Sequence, residues 1–257
     1  MVRRTAVVTG AARGIGRAIA HRLAADGLAV LVSDIDADGA QSVAAEIRDK
    51  GFTATSAGCD VRDRDAVFGL VEASRAAHGD LDVMVANAGV VQVKRLLETR
   101  PEDLEHIFRV NVDGVLWCVQ AAAEAMIAHG RGGRIINAAS IAAHSGADYL
   151  GAYCATKFAV RALTQTAAKE LAGHGITVNA YCPGIVGTEM WDQIDTSLGS
   201  YLGTAAGGAL AEYSKLIALG RVQTPEDVAG LVSYMAGPDG GYMTGQSVIV
   251  DGGIEMV

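Results

Sequence analysis

Short, continuously apolar runs alternate along the chain with longer segments in which apolar residues recur every three or four positions. Runs such as AVVTG, near the start, are typical of strands buried on both faces. The longer segments have the period of amphipathic helices, and several of them end at a glycine. Seven strands are predicted, at 5–10, 28–34, 53–61, 81–89, 133–140, 176–184 and 246–253. Helices are predicted at 14–27, 36–51, 62–79, 101–130, 153–175 and 224–237.

Repeated strand–helix alternation predicts an α/β fold, a Rossmann-type doubly wound parallel sheet of about seven strands with helices on both faces. No linker, low-complexity tract or internal repeat divides the sequence, so we expect 1–257 to form a single domain. The segment 189–220 interrupts the alternation, and its middle, 199–208, is rich in Gly and Ala. We therefore expect a helical excursion with a flexible centre that serves as a substrate lid.

Composition narrows the class of protein. Half of the residues are apolar and the formal net charge is −8, without a basic cluster, so we expect no nucleic-acid partner and no anionic membrane surface. The sequence contains no run of 18 apolar residues, so no membrane-spanning helix is predicted. The four cysteines lack the spacing of metal ligands, which predicts reduced, buried thiols, no metal site and a cytoplasmic location. They are Cys59, Cys118, Cys154 and Cys182.

A glycine-rich turn, TGAARGIG, joins the first predicted strand to the first helix. At this place in a doubly wound sheet, the helix N-terminus offers free N–H groups and a positive dipole end to a pyrophosphate. Side chains would block that approach, so glycines are needed. The spacing differs from the commonest fingerprint, G-x-G-x-x-G, and a mere tight turn is the alternative. The predicted dinucleotide contacts are Gly10, Arg13, Gly14, Ile15 and Gly16.

Asp34 closes the second predicted strand, 18 residues after Gly16. A carboxylate there accepts hydrogen bonds from the ribose hydroxyls of an adenosine and repels a 2′-phosphate. The alternative is an ordinary helix cap or loop residue. Arg13 would attract a 2′-phosphate, whereas Ile35 offers no second positive charge. The balance favours NAD(H) over NADP(H).

The segment YCATK places Tyr153 and Lys157 four residues apart, on one face of a predicted helix. A nearby ammonium favours the phenolate, so the pair is suited to general acid–base chemistry on a carbonyl or alcohol. Ser140 follows a predicted strand, 13 residues before Tyr153, and Asn111 lies within a predicted helix. Taken singly, each has a bland explanation: a solvated lysine, a helix cap or a core polar group.

Together these features resemble the short-chain dehydrogenase/reductase family along the whole chain. The matching blocks are TGAARGIG, CDV at 59–61, ANAG at 86–89, Asn111, Ser140, YCATK and PGIVGT at 183–188. The resemblance implies a homotetramer, with the helices at 101–129 and 153–173 and the C-terminal strand at the subunit contacts.

The resemblance also implies residue roles. Tyr153 would act as general acid or base, and Lys157 would lower its pKa and bind the nicotinamide ribose. Ser140 would hold and polarise the substrate oxygen, and Asn111 would position a water in a proton relay. Further cofactor contacts are implied for Asp60, Val61, Asn87, Ala88, Gly89, Pro183, Gly184, Ile185 and Thr188.

In the C-terminal third, AYCPGIV, EMWDQID and GYMTGQS resemble the branch that contains diacetyl/acetoin reductases, also called 2,3-butanediol dehydrogenases. This implies a small apolar substrate pocket and activity on a compact ketone. The implied substrate contacts are Ser140, Ile141, Tyr153, Gly184, Met190 and Trp191. Ile141 stands where some members of the branch carry a polar residue.

Two further enzyme readings stay open: a polyol or sugar-alcohol dehydrogenase and a 3-oxoacyl thioester reductase. The second usually works with NADPH, and Asp34 argues against it. A catalytically idle dinucleotide-binding scaffold is the non-enzyme alternative. It predicts the loss of at least one residue from the set of Asn111, Ser140, Tyr153 and Lys157, and none is lost.

Overall fold

The computed structural model describes residues 4–256, which contain a parallel sheet of seven strands in the order β3-β2-β1-β4-β5-β6-β7. The strands are β1 (Thr5–Val8), β2 (Ala29–Asp34), β3 (Ala54–Gly58), β4 (Val83–Ala86), β5 (Gly133–Ala138), β6 (Ile176–Pro183) and β7 (Ser247–Val250). The strand order reverses between β1 and β4, and in open α/β sheets ligands bind at the carboxyl ends of the strands beside such a reversal. This arrangement confirms the predicted α/β fold.

Helices cover both faces of the sheet. They are α1 (Gly14–Ala25), α2 (Ala37–Asp49), α3 (Arg64–His78), α4 (Pro101–Phe108), α5 (Gly114–His129), α6 (Gly151–Leu171), α7 (Glu189–Leu202), α8 (Gly208–Ser214) and α9 (Pro225–Ala236). One apolar core includes Ile19 and Val232, and the core on the other face includes Val119 and Val160. None of the helices within residues 4–256 is both long and apolar enough to cross a bilayer.

Capping residues fix where several helices begin. The Asp36 side chain accepts a hydrogen bond from Gly39 N, so α2 starts one residue after the predicted start. Asp63 caps α3 in the same way, and Thr224 and Asp227 form a capping box at α9. The helix pattern was therefore correct, and the shifts at its ends reflect the residues that satisfy free N–H groups.

The predicted continuous helix at 101–130 is wrong in one respect. A π-helical turn at Arg109–Asp113 separates α4 from α5. Such a turn holds one more residue than an α-helical turn, and it is common at functional sites because it changes the direction of a side chain. Asn111 lies in this turn and is completely buried.

The lid segment contains two helices, α7 and α8. The Asp195 carboxylate joins them, because it accepts hydrogen bonds from Gly207 N at 2.5 Å and from Leu210 N at 2.8 Å. Since α7 continues to Leu202, helix occupies the first part of the stretch 199–208 that was expected to be a flexible centre.

Candidate active site

The glycine turn is a close-packed cradle at the end of β1. Gly10 and Gly14 have φ of +61° and +54°, a region that favours glycine. A Cβ at Gly16 would lie 2.2 Å from Gly10 O, and one at Gly10 would lie 2.7 Å from Ala88 Cα. Any side chain at these positions would force the backbone apart, so the turn presents bare main chain.

The N-terminus of α1 is free to bind an anion. Its cap residue, Arg13, makes no side-chain capping hydrogen bond, so the N–H groups of the first turn lack an acceptor from that side chain. The Arg13 guanidinium turns instead to Glu189 at the start of α7, with Nη1 2.5 Å from Oε2. Free N–H groups, a positive helix end and a bare glycine backbone together fit the pyrophosphate of a dinucleotide.

The Asp34 carboxylate lies directly beside this turn, at the end of β2. Its Oδ2 accepts a hydrogen bond from Ala12 N and its Oδ1 accepts one from Asp36 N, both at 3.0 Å. These two bonds fix the carboxylate in place, and each oxygen retains a lone pair for a ribose hydroxyl. The position therefore fits the predicted ribose contact.

Asn87 shapes the turn from β4. Its Nδ2 donates to Thr9 O at 2.9 Å and to Gly10 O at 2.8 Å, and its Oδ1 accepts from the Tyr181 hydroxyl at 2.7 Å. The amide is thus engaged within the protein, and a contact from Asn87 to the cofactor stays a prediction. Sequence reasoning missed Tyr181, because an apolar-looking strand gives no sign of where a phenol hydroxyl bonds.

Residues 60–61 border the same edge of the sheet. The Asp60 carboxylate pairs with Arg62, with Oδ2 2.5 Å from Nη2, and this partner holds the pKa of Asp60 below its usual value. Val61 is buried against Gly114, where an added Cβ would lie 2.8 Å from Val61 Cγ2. The cofactor contacts predicted for Asp60 and Val61 therefore lie on a closely packed segment.

Tyr153, Lys157 and Ser140 come together where β5 ends and α6 begins. Lys157 Nζ lies 5.5 Å from the centroid of the Tyr153 ring and donates to Ala138 O at 2.8 Å. The Ser140 side chain lies near enough to the Tyr153 phenol to lower its pKa. The helical spacing of four residues places both side chains of α6 toward the end of β5, as predicted.

The electrostatics of the pair differ from the expectation. Burial raises the pKa of Tyr153 to about 12, and the nearby Ser140 side chain opposes this shift. Burial also lowers the pKa of Lys157 to about 8. The predicted lowering of the tyrosine pKa by Lys157 is therefore wrong for this structure, because removal from water raises the pKa and the group that opposes the shift is Ser140. A phenol that stays protonated near neutral pH is suited to donating a proton.

The Asn111 side chain links the backbone of Val90 to Thr156 on α6. Its Oδ1 accepts from Val90 N at 2.8 Å, and its Nδ2 donates to Val90 O at 2.9 Å and to Thr156 Oγ1 at 3.1 Å. A Cβ at Gly89 would lie 3.3 Å from Asn111 Oδ1 and 3.7 Å from Lys157 Nζ. Three predicted site residues thus meet here, and glycine is what leaves room between them.

The segment after β6 crosses from the sheet to the glycine turn. Following Pro183, the last residue of β6, Gly184 N lies 3.3 Å from both Val250 O and Gln223 Oε1, and Gln223 N donates to Ile185 O at 3.0 Å. At its other end, a Cβ added to Gly14 would lie 3.4 Å from Thr188 Cγ2. The segment therefore reaches from the reacting end of the site to the pyrophosphate cradle.

The lid carries an apolar cluster. Met190 and Trp191 are partly buried against a small core formed by α7 and α8, and Ile141 is half-buried directly after Ser140. Trp191 packs on Tyr213, with ring centroids 6.1 Å apart. The other partly buried members of the cluster are Val91, Val93 and Tyr149.

Sequence reasoning missed Tyr149 and Tyr201. Tyr149 has a φ of +65°, an uncommon value for a residue with a side chain, and its ring stacks on Tyr201 at 5.0 Å between centroids. The Tyr201 hydroxyl donates to Glu98 Oε2 at 2.8 Å. These contacts join α7 to the loops that follow β4 and β5, and only the folded chain brings the two tyrosines together.

Comparison with known proteins shows which family the chain belongs to. A family model described as short chain dehydrogenase matches residues 4–199. The chain is 47% identical over 252 residues to a diacetyl reductase [(S)-acetoin forming] of Staphylococcus epidermidis, covering 98% of both chains. It is 49% identical over 255 residues to an L-2,3-butanediol dehydrogenase of Corynebacterium glutamicum, again covering 98% of both.

Solved structures have the same fold. A dehydrogenase/reductase from Sinorhizobium meliloti 1021 superposes with a TM-score of 0.89 at 35% identity, covering 100% of this chain and 96% of that chain. A short-chain type dehydrogenase/reductase from Mycobacterium marinum gives a TM-score of 0.87 at 36% identity, covering 98% and 96%.

Proposed function

Since the chain belongs to the short-chain dehydrogenase/reductase family, we propose that it reduces diacetyl to acetoin and interconverts acetoin and 2,3-butanediol. The family assignment makes it an oxidoreductase that depends on a nicotinamide dinucleotide. The observation that carries the choice of substrate is the identity of 47% and 49%, along nearly the whole chain, to relatives named for these two reactions.

In the proposed mechanism, Ser140 holds the carbonyl oxygen and Tyr153 gives that oxygen its proton. The bound nicotinamide dinucleotide supplies or accepts the hydride. Ser140 lies near enough to Tyr153 to lower the pKa of the phenol, so a carbonyl oxygen bound at Ser140 would lie within reach of the proton donor. Lys157 and Asn111 restore the proton of Tyr153 through a water relay in this proposal.

We propose NAD(H) as the dinucleotide. The residues that would hold it are the glycine turn, Asp34, Gly89 and the segment 183–188. Asp34 places a fixed negative charge where a 2′-phosphate would need a positive one. Arg13, the nearest candidate for binding that phosphate, is paired with Glu189.

The small apolar cluster around Met190 and Trp191 supports a compact substrate. Methyl groups gain by burial against such side chains, whereas the hydroxyls of a polyol need polar partners. A polyol or sugar-alcohol dehydrogenase and a 3-oxoacyl thioester reductase remain the alternatives to be tested.

We also propose a cytoplasmic homotetramer with a small-molecule substrate and without nucleic-acid or membrane partners. Ile127 on α5 and Phe158 on α6 are 40% and 43% exposed, and β7 is a half-buried edge strand. Large apolar side chains and an open sheet edge are surfaces that a second copy would cover. The four buried, unpaired cysteines fit a reducing compartment.

The test is NADH consumption by the purified protein with diacetyl, with acetoin, with a ketose derived from a polyol and with an acetoacetyl thioester, each repeated with NADPH. We expect rapid turnover of diacetyl or acetoin with NADH. Faster turnover of the ketose or the thioester would overturn the substrate, and a preference for NADPH would overturn the cofactor. Binding of NADH without turnover of any compound would favour the idle scaffold.

A further inference from the structure

Side chains on one face of α6 contact the end of β5 and the turn that follows it. Tyr153, Lys157 and Arg161 follow one another at intervals of four residues and so share a helix face. Tyr153 lies near Ser140, which lowers its pKa. Lys157 donates to Ala138 O at 2.8 Å, and the third residue, Arg161, donates from Nη1 to Ala143 O at 3.2 Å. The first two belong to the predicted site, whereas Arg161 has no assigned role.

The carbonyl that Arg161 holds belongs to the turn that aims Ser140. Ser140 Oγ accepts from Ala142 N at 3.2 Å, and Ala143 N donates to Ser140 O at 2.9 Å. These bonds close a single short helical turn at Ile141–Ala143, directly after the serine. A shift of Ala143 therefore moves the serine hydroxyl relative to the Tyr153 hydroxyl.

The residues that follow this turn, His144 and Ser145, contact α6 and the C-terminal segment respectively. His144 Nδ1 lies 3.2 Å from Arg161 Nη1, and burial together with the guanidinium lowers the pKa of His144. The next residue, Ser145, donates to Glu255 Oε1 at 2.6 Å. Glu255 is itself fixed, because its N–H donates to Asp251 Oδ2 at 2.7 Å. Removal of Arg161 would therefore take away the loop's hydrogen bonds to α6 and leave those to the C-terminal segment.

We propose that Arg161 is a positioning residue, which holds the turn at 141–143 so that the Ser140 hydroxyl stays against Tyr153. The inference rests on the proposed function only in assigning the substrate oxygen to Ser140. Since Arg161 acts through Ser140, its removal should slow the chemical step without weakening binding of the dinucleotide.

The test is a double-mutant cycle with Arg161→Met and Ser140→Ala, measured with whichever ketone the unmodified protein reduces fastest. We expect Arg161→Met alone to lower kcat about tenfold to a hundredfold, since small misplacements of reacting groups have effects of this size. The dissociation constant for NADH, measured by fluorescence, should stay within about twofold. In the Ser140→Ala background, the same change should lower kcat by less than about threefold.

Arg48→Met is the matched control. Arg48 also donates from Nη1 to a backbone carbonyl, that of Ala54, at 3.0 Å, but on α2 and away from the serine turn. Its kcat should stay within about twofold of the unmodified protein. Equal losses of kcat from Arg161→Met with and without Ser140 would overturn the proposal. If Arg161→Met does not fold, the cycle is run with Arg161→Lys, and the same dependence on Ser140 is required.

The choice of substrate keeps this test separate from that of the proposed function. A protein that reduces a ketose or a thioester instead of diacetyl would refute the substrate proposal, and the cycle would still be measured with that compound. Only independence of Arg161 from Ser140 refutes the positioning role.

Discussion

The hydroxyl of Tyr181, on β6, donates at 2.7 Å to the side-chain oxygen of Asn87, the residue that follows β4. Asn87 in turn donates to two carbonyls at the start of the glycine turn, those of Thr9 and Gly10. The shape of the glycine turn therefore depends on Tyr181, a fully buried residue of β6 that acts on the turn through Asn87.

Replacement of Tyr181 by Phe tests this connection. The change leaves the Asn87 oxygen without its donor, which costs about 1–3 kcal/mol of unfolding free energy. We expect the KM for NADH to rise several-fold, while kcat changes little. Urea unfolding and steady-state kinetics measure the two effects, and Tyr242→Phe is the control because its side chain is fully exposed. An unchanged KM for NADH would show that Asn87 keeps the turn in place without Tyr181.

Tyr153→Phe should remove the proton donor and keep the fold. Turnover is expected to fall by about a hundredfold to ten-thousandfold, the usual contribution of general acid catalysis. Binding of NADH, followed by fluorescence, should be nearly unchanged. Tyr234→Phe, on the exposed side of α9, serves as control. Turnover at the original rate would refute the role of the phenol.

Asp34→Asn tests cofactor choice. The substitution removes the negative charge beside the turn and exchanges one acceptor for a donor that faces a backbone N–H. Because like charges placed together cost several kcal/mol, we expect the ratio of kcat/KM for NADH to that for NADPH to fall at least about tenfold. An unchanged ratio would mean that the Asp34 carboxylate does not discriminate between NADH and NADPH.

Glu189→Gln acts on the same ratio by another route. It removes the charge that pairs with Arg13 and leaves the guanidinium available to a phosphate. Both side chains are largely exposed, and exposed pairs are worth about 0–1 kcal/mol, so the ratio should fall by no more than about fivefold. Glu226→Gln, at the start of α9, is the control. A change in favour of NADH would contradict the pairing argument.

The effect of the buried Lys157 ammonium on stability can be measured by comparing the unfolding free energy of the unmodified protein with that of Lys157→Met at several pH values. The lowered pKa of Lys157, about 8 against 10.5, means that the native state loses this proton before the unfolded state does. The unfolded state then binds more protons between these values, so this group adds stability as pH rises from about 8 to 10.5. Its contribution is absent from the variant.

We therefore expect the unfolding free energy of the unmodified protein, minus that of Lys157→Met, to increase by up to about 3 kcal/mol between pH 7 and pH 10.5. Taking the difference cancels the buried cysteines whose pKa does not depend on Lys157, namely Cys59, Cys118 and Cys154; their raised pKa values destabilise both proteins above about pH 9. Denaturant unfolding at several pH values provides the measurement. A difference that is constant with pH would place the ammonium in contact with solvent.

The sequence pattern predicted the elements of the fold because apolar period and glycine placement act locally. Tyr153 and Lys157 were found for the same reason, since four residues along a helix define a shared face. The π-helical turn at Arg109–Asp113 escaped prediction, because an inserted residue does not alter the apolar period enough to be seen. Helix ends were shifted where Asp36 and Asp63 cap them.

Contacts between distant segments could not be predicted in this way. The partners of Asn87, Arg161 and Tyr201 lie on other elements, and their pairing depends on how loops meet after folding. The direction of the Tyr153 pKa was wrong for a related reason. Spacing reveals a neighbouring charge, whereas the amount of water removed from a side chain depends on the whole fold.

The π-helical turn also determines what the deletion of one residue at this point would change. Because the extra residue is absorbed within Arg109–Asp113, its deletion would let α4 run into α5 as one regular helix, with the packing of both kept. The amide of Asn111, however, would no longer grip the backbone of Val90. A variant that lacks this single residue would keep the architecture and lose the hydrogen bonds between Asn111 and Val90. A deletion here would therefore affect the contacts of Asn111 before the packing of the two helices.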